Sequence, residues 1–305
     1  MKIISLLPSA TEIVFALGLG DSLEGVTHEC DYPAEAREKP VVMRPSLPQG
    51  VLSSGEIDEA VRAKMDAKEP LYVLDRALLQ RIQPDVILTQ DLCRVCSIAT
   101  GQVKDALSDI GLADSTKVLS LEPSTLEEIF VSIEAVGKLL DREPGAKELT
   151  ESLRGRVESV KKTALRLPTI RVLGLEWFDP PFGGGHWVPE MIEFAGGTNL
   201  LTEKGQPSRT LTWRQVRDAT PEVVVYMPCG YYLDEAEHEA RRLYDNPEFA
   251  DTPAAREENV FAVDATSYFS RPGPRIVDGL EITAWAIHPD AYPEPPADTI
   301  ARIQR

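Results

Sequence analysis

Short apolar runs, closed by proline, glycine or polar clusters, alternate along the chain with segments whose apolar residues recur every three or four positions. Residues 3–7 (IISLL) are such a run, stopped by Pro8, and read as a buried strand. Ser9 and Glu12 have capping-box spacing and predict a helix through Leu17, ended by Gly18 and Gly20. Residues 23–27, 85–89 and 117–120 read as further strands, with a helix over 103–110. This order predicts an α/β lobe with a mainly parallel sheet over residues 1–122.

The pattern then turns helical for residues 123–166. Ser124 and Glu127 give a second capping-box spacing, followed by Leu126, Ile129, Phe130, Ile133, Val136 and Leu140 at helical intervals. Residues 141–144 break that helix. From Gly145 to Arg166 no proline intervenes, and Leu149, Leu153, Val157 and Val160 make one narrow apolar stripe among charges. Such a helix, ~33 Å long, suits a connector better than a core element. Residues 167–305 restart the α/β pattern. Strands are predicted at 170–175, 222–227 and 260–263 and helices at 189–196 and 275–288, followed by a proline-rich, then polar, tail. The fold expected is therefore two α/β lobes joined by a single long helix.

Composition narrows the function. Thirty-two basic against 49 acidic residues leave a net charge of −17, which repels nucleic acid and anionic lipid surfaces. No run reaches the ~18 apolar residues of a membrane span, so no membrane insertion is expected. Lys2 and the following apolar run resemble the start of a signal peptide. Pro8 and Glu12 interrupt it, and no small-residue cleavage site follows. As it stands the sequence reads as cytoplasmic; trimming ahead of Met1 would make it extracytoplasmic. Four cysteines are too few for a disulfide scaffold.

In open parallel sheets, ligands bind beyond the carboxyl ends of the strands. The segments there carry Cys30 and Tyr32, then Asp91, Cys93 and Cys96, then Trp177, Phe178, Phe182, His186 and Trp187, and finally Tyr268, Phe269 and Arg271. Large flat rings in such loops fit a large, planar, partly apolar ligand, each ring burying roughly 150–250 Å². Cys30, Cys93 and Cys96 with His28 could hold a soft metal, the C-x-x-C pair could be redox-active, or the thiols could simply pack loops. Gly183–Gly185 let the backbone approach a ligand and present His186, whose imidazole could ligate a metal or bond an amide. The bland alternative places His186 at a helix start against Glu190. Cys229 reads as structural, His238 as solvent-facing and His288 as meeting the dipole of the last helix. P-loop, dinucleotide and nucleophile-elbow motifs are absent, and no catalytic residue stands out.

The segments SLLPSATEIVFALGLGDSLEGVTHECDYP, IQPDVIL, PPFGGGHWVPEMIEFAGGTNLL, TPEVVVY and YFSRPGPRIVDGL resemble the iron-complex/vitamin B12 solute-binding proteins, in that family's order. DYP, PPF followed by glycine, and the YFSRPGPRI segment are the more specific matches, shared with the family's vitamin B12-binding members. The resemblance implies two lobes on one backbone helix, a shallow interlobe cleft and little hinge motion. It also implies a non-enzymatic protein that carries a small-molecule metal complex, with no cofactor of its own, to an ABC transporter permease. In those members one exposed Glu per lobe docks on the permease; the matching positions here are near Thr100-Gly101 and at Arg214. Glu56 and Glu122 are other carboxylates that could dock. Gln90 stands where those members stack a Trp, and the segment 46–79 is longer than theirs. The expected function is binding of cobalamin or a related corrinoid. The rings would clamp the macrocycle, and Arg271 would hold its amide or phosphate oxygens. The alternatives are haem, an iron–siderophore or a metal ion held by the three thiols, or a thiol-dependent intracellular reductase or carrier.

Overall fold

The computed structural model describes residues 1–46, 54–67, 69–90 and 100–305. Contacts divide the chain into two units, Met1–Pro123 with Phe130–Thr150, and Ser124–Ile129 with Glu151–Arg305.

The first unit contains β1 (Ile3–Ser5), α1 (Pro8–Ala16), β2 (Leu23–Thr27), β3 (Val41–Pro45), α2 (Ser54–Asp66), β4 (Tyr72–Leu74), α3 (Arg76–Ile82), β5 (Val86–Thr89), α4 (Thr100–Asp109) and β6 (Lys117–Ser120). Its sheet runs β4-β3-β2-β1-β5-β6. Every pair is parallel except β3–β4. Ile4, Leu6, Val42, Ile87, Val103 and Leu107 make one core cluster between sheet and helices. The strand order turns about β1, whose neighbours are β2 and β5, so the carboxyl ends of β1 and β5 flank a topological switch point. The predicted capping box at Ser9 is corrected here. Pro8 starts α1, Leu7 is its N-cap without a side-chain bond, and Ser9 and Glu12 are buried helix residues. Proline needs no N–H partner at that position, so it takes the helix start from serine. The hydrophobic pattern left β3, α2, β4 and α3 unassigned. A short edge strand such as β4, with Val73 54% exposed, lacks a buried run to announce it.

Two helices follow, α5 (Leu126–Leu139) and α6 (Glu143–Ala164). The second capping box shifts by one residue. The Glu128 N–H donates to Thr125 Oγ1 (3.3 Å), and Glu128 Oε2 accepts from the Ser124 N–H (2.6 Å), so Thr125 rather than Ser124 is the cap. Pro144 lies inside the first turn of α6 instead of ahead of it, again where a missing N–H costs nothing. The 22 residues of α6 bury Leu153, Val157 and Val160 of the expected stripe, while Leu149 is half-buried and Ala164 extends the buried side, and the helix passes from the first unit to the second after Thr150.

The second unit holds β7 (Ile170–Trp177), β8 (Phe182–Gly183), α7 (Val188–Phe194), β9 (Gly197–Asn199), β10 (Arg209–Thr210), α8 (Trp213–Asp218), β11 (Val223–Tyr226), α9 (Leu233–Ala240), α10 (Pro247–Ala250), α11 (Pro253–Arg256), β12 (Val260–Val263), α12 (Ala265–Tyr268), α13 (Ile276–Ile287) and β13 (Ile300–Arg302). Parallel β7, β11 and β12 form its centre. One edge of β7 is shared: β9 pairs with Ile170–Val172 and β8 with Leu175 and Trp177. The tail, read as proline-rich and then polar with no strand assigned, ends as β13, antiparallel to β12, with Ile300 and Ile303 buried. Three residues of period-two pattern are too few to stand out beside prolines.

Candidate functional site

Because β7, β11 and β12 are parallel, their carboxyl ends lie at one edge of the sheet, and the loops leaving them are joined there. Trp177 ends β7 and meets Tyr231, from the loop after β11, edge-on at 5.6 Å between ring centroids. Trp177 also stands opposite Phe182 in the β7–β8 ladder, which puts the two rings on one face. The Tyr231 carbonyl accepts the Thr266 N–H (3.0 Å), tying in the loop after β12. Tyr231, Trp177 and Phe182 thus form a row of half-buried rings, with Tyr232 42% exposed beside them in sequence. Burial, then nearby Glu239 and Glu235, push the Tyr231 hydroxyl up to about 12, so it stays a neutral donor at neutral pH.

Phe178 turns the other way. It packs against Trp213 (5.6 Å) and under the Arg242 guanidinium (4.7 Å to the centroid), against the core cluster that Tyr231 also borders. Successive side chains near a strand end point to opposite faces, which separates Phe178 from Trp177. Trp187 and Phe269 are both buried, and the indole Nε1–H donates to the Phe269 carbonyl (2.9 Å). They bolt the Gly-rich loop to the loop after β12 rather than offer open ring faces. Arg271 is 5% exposed and lies, with Arg275, near the Asp264 carboxyl. Burial outweighs both cations and raises Asp264 overall, while the same carboxylate caps α12 through the Ser267 N–H (2.9 Å). Tyr268 is half-buried, with the Arg275 guanidinium 5.5 Å from its centroid.

His186 is held by backbone on both sides. Its N–H donates to Gln206 O (2.6 Å), and its carbonyl accepts from the Gly205 N–H (2.9 Å). Its φ of +51° is a left-handed conformation that costs a non-glycine residue roughly 1–2 kcal/mol. Gly185 makes this possible, since a Cβ there would lie 2.2 Å from the Ser208 nitrogen. The half-buried imidazole titrates below the ordinary histidine value because burial penalises its charge. The imidazole is therefore neutral at pH 7. Glu190 belongs elsewhere: its buried carboxylate accepts the Leu126 N–H (2.9 Å) and pairs with Lys204.

In the first unit, Cys30 is buried after β2, its Sγ 3.1 Å from Thr11 Oγ1 and 3.6 Å from Thr27 Oγ1. His28 Nε2 lies 3.7 Å from Glu29 Oε1. Tyr32 is 48% exposed. Asp91, Cys93 and Cys96 lie outside the described residues, and among those described no cluster of His, Cys, Asp or Glu is built to hold a metal.

The model of the family described as periplasmic binding protein matches residues 3–266. The chain belongs to that family. Over 299 residues this family member is 24% identical to YvrC of Bacillus subtilis, described as an uncharacterized ABC transporter substrate-binding lipoprotein, covering 96% of this chain and 82% of that one. Over 283 residues it is 24% identical to the vitamin B12-binding protein of Vibrio cholerae, covering 92% and 86%. Its fold matches a periplasmic heme-binding protein of Pseudomonas aeruginosa with a TM-score of 0.71, at 21% identity, across 100% of this chain and 98% of that one. The resemblance read from the sequence therefore holds at the level of family and fold.

Among the described residues of this family member no helix is long and apolar enough to cross a membrane. At the positions matched to permease-docking glutamates, Gly101 and Arg214 are exposed, and Arg214 pairs with Asp218 (3.6 Å). The sequence reading missed Tyr231 and Tyr232 and took Cys229 as structural, whereas Cys229 is exposed. The signal was present: Pro228-Cys229-Gly230-Tyr231-Tyr232 directly follows the apolar run of β11.

Proposed function

We propose that this protein is the extracytoplasmic ligand-binding component of an ABC importer, non-enzymatic, and that its ligand is cobalamin or a related corrinoid. The observation that carries this reading is the row Tyr231–Trp177–Phe182 at the carboxyl edge of the second unit's sheet, fixed by bonds among the loops that bear it. A row of immobilised rings suits the face or edge of a large macrocycle and lowers the ordering cost of binding. Similarity to the vitamin B12-binding protein of Vibrio cholerae supports the choice of macrocycle, and similarity to the substrate-binding lipoprotein YvrC supports the importer and the location outside the cytoplasm. His186 is assigned to the ligand as a neutral imidazole, and Tyr32 is the ring assigned in the first unit. With Arg214 and Gly101 at the matched positions, permease docking falls to other carboxylates, such as exposed Glu56 and Glu122.

The test is a spectroscopic titration of hydroxocobalamin into the purified chain. A saturable change of the corrin bands with a dissociation constant in the micromolar range or below is expected. The absence of any such change at micromolar protein overturns the ligand assignment. Haem is the second reading, favoured by the neutral imidazole of His186. A Soret shift with hemin that is lost in His186→Ala, without a corrin response, would select it.

A further inference from the structure

A cavity of about 610 Å³ lies in the second unit, walled by α6, α13 and the proline-rich tail. That volume is within the range of small-molecule sites, roughly 300–1,000 Å³. It shares only Tyr268 with the ring-bearing strand-end loops, so it is not part of the row at Trp177. Val160 and Ile282 supply its apolar floor, and prolines of the tail with Tyr292 close one side. Tyr292 is fixed by donating its hydroxyl to the Val160 carbonyl (3.0 Å), which straps the tail to α6.

The charges around this space do not cancel. Its lining holds one guanidinium, Arg156, and three carboxylates, Asp278, Glu281 and Glu294, an excess of two negative charges. Arg156 is engaged by Glu281 through two bonds (2.9 and 2.6 Å) and by Asp278 (2.5 Å), so it is not available to an incoming anion. Glu294, exposed at the rim, has no cation among the lining residues within ion-pair distance. An apolar space with tyrosine walls and surplus carboxylate is complementary to an ammonium group on an apolar body.

We propose that this cavity is a second ligand site, selective for small organic cations of the aryl-alkyl-ammonium class. The proposal does not depend on the corrinoid reading. Phenethylammonium chloride is the probe and phenethyl alcohol its neutral counterpart, each titrated into the full chain by ligand-observed NMR. Saturable binding of the ammonium with a dissociation constant of about 1 mM is expected for so few atoms. The alcohol should bind at least about fivefold more weakly, and Glu294→Gln should weaken the ammonium about two- to fivefold. Ser159→Trp, at an exposed α6 position on the cavity wall, should abolish binding while the melting temperature holds. Tyr292→Ser is a second variant that opens the strap without adding bulk. Trp177→Ala should leave ammonium binding unchanged. Equal binding of ammonium and alcohol, persistence in folded Ser159→Trp, or no binding at about 10 mM would overturn the proposal.

Discussion

At the residue scale, neighbouring aromatics have opposite fates. Trp177 and Phe182 face one another across a ladder with Tyr231 against them, whereas Trp187 spends its N–H on the Phe269 carbonyl. Substitutions should separate these roles. Trp177→Ala is expected to weaken corrinoid binding about three- to tenfold, the worth of an aromatic contact, with little change in the urea midpoint. Trp187→Phe should instead leave the Phe269 carbonyl unpaired and lower stability by about 1 kcal/mol, read from urea unfolding. His186 gives a further check. An NMR titration should place its midpoint below the ordinary histidine value of 6.5, because the half-buried ring resists protonation. Corrinoid or haem contact through its lone pair should then persist through neutral pH and fail only on acidification below that range.

At the element scale, the loop that presents His186 is locked by backbone bonds to residues 205–206 as well as by the Trp187 indole. Gly185→Ala would push a Cβ into the 207–208 backbone, so it should dislodge the loop, destabilise the protein by more than about 2 kcal/mol and reduce ligand affinity. Calorimetry and the cobalamin titration together would read both effects. The start of α5 depends on a residue 64 positions away, since the buried Glu190 carboxylate accepts the Leu126 N–H. Glu190→Ala leaves that N–H without its acceptor, and Lys204, being half exposed, turns to solvent. A loss of about 2 kcal/mol in urea unfolding is the expected outcome. Glu190→Gln, which can still accept the bond, should recover part of it.

At the scale of the whole molecule, burial lowers both His186 and His288. A group whose folded-state value is depressed binds protons more readily when unfolded. Stability should therefore fall as pH drops below about 6.5 and level off below the folded-state values, in addition to any loss from carboxylates at lower pH. Thermal melts from pH 8 to 5 would show it, and His186→Gln with His288→Gln should flatten this part of the curve. Much of the architecture was legible in the chain itself. Strands β2, β6 and β12 appear at the bounds their apolar runs mark, and α6 shows the stripe its spacing demands. Runs and periods are local, and a buried strand or an amphipathic helix must write its face into consecutive residues. The same local logic fails for short edge strands such as β4 and β13 and for helix starts, where Pro8 displaced the expected cap of α1 and the cap of α5 moved by one residue to Thr125. Which loop residues are open and which are packed was decided only in three dimensions. Trp187 and Phe269 are 82 residues apart, and Trp177 finds Tyr231 across another strand. The sequence marks where rings gather at strand ends. Only the tertiary fold brings the partners that bury one indole and leave another half exposed, because burial depends on the neighbours from distant segments.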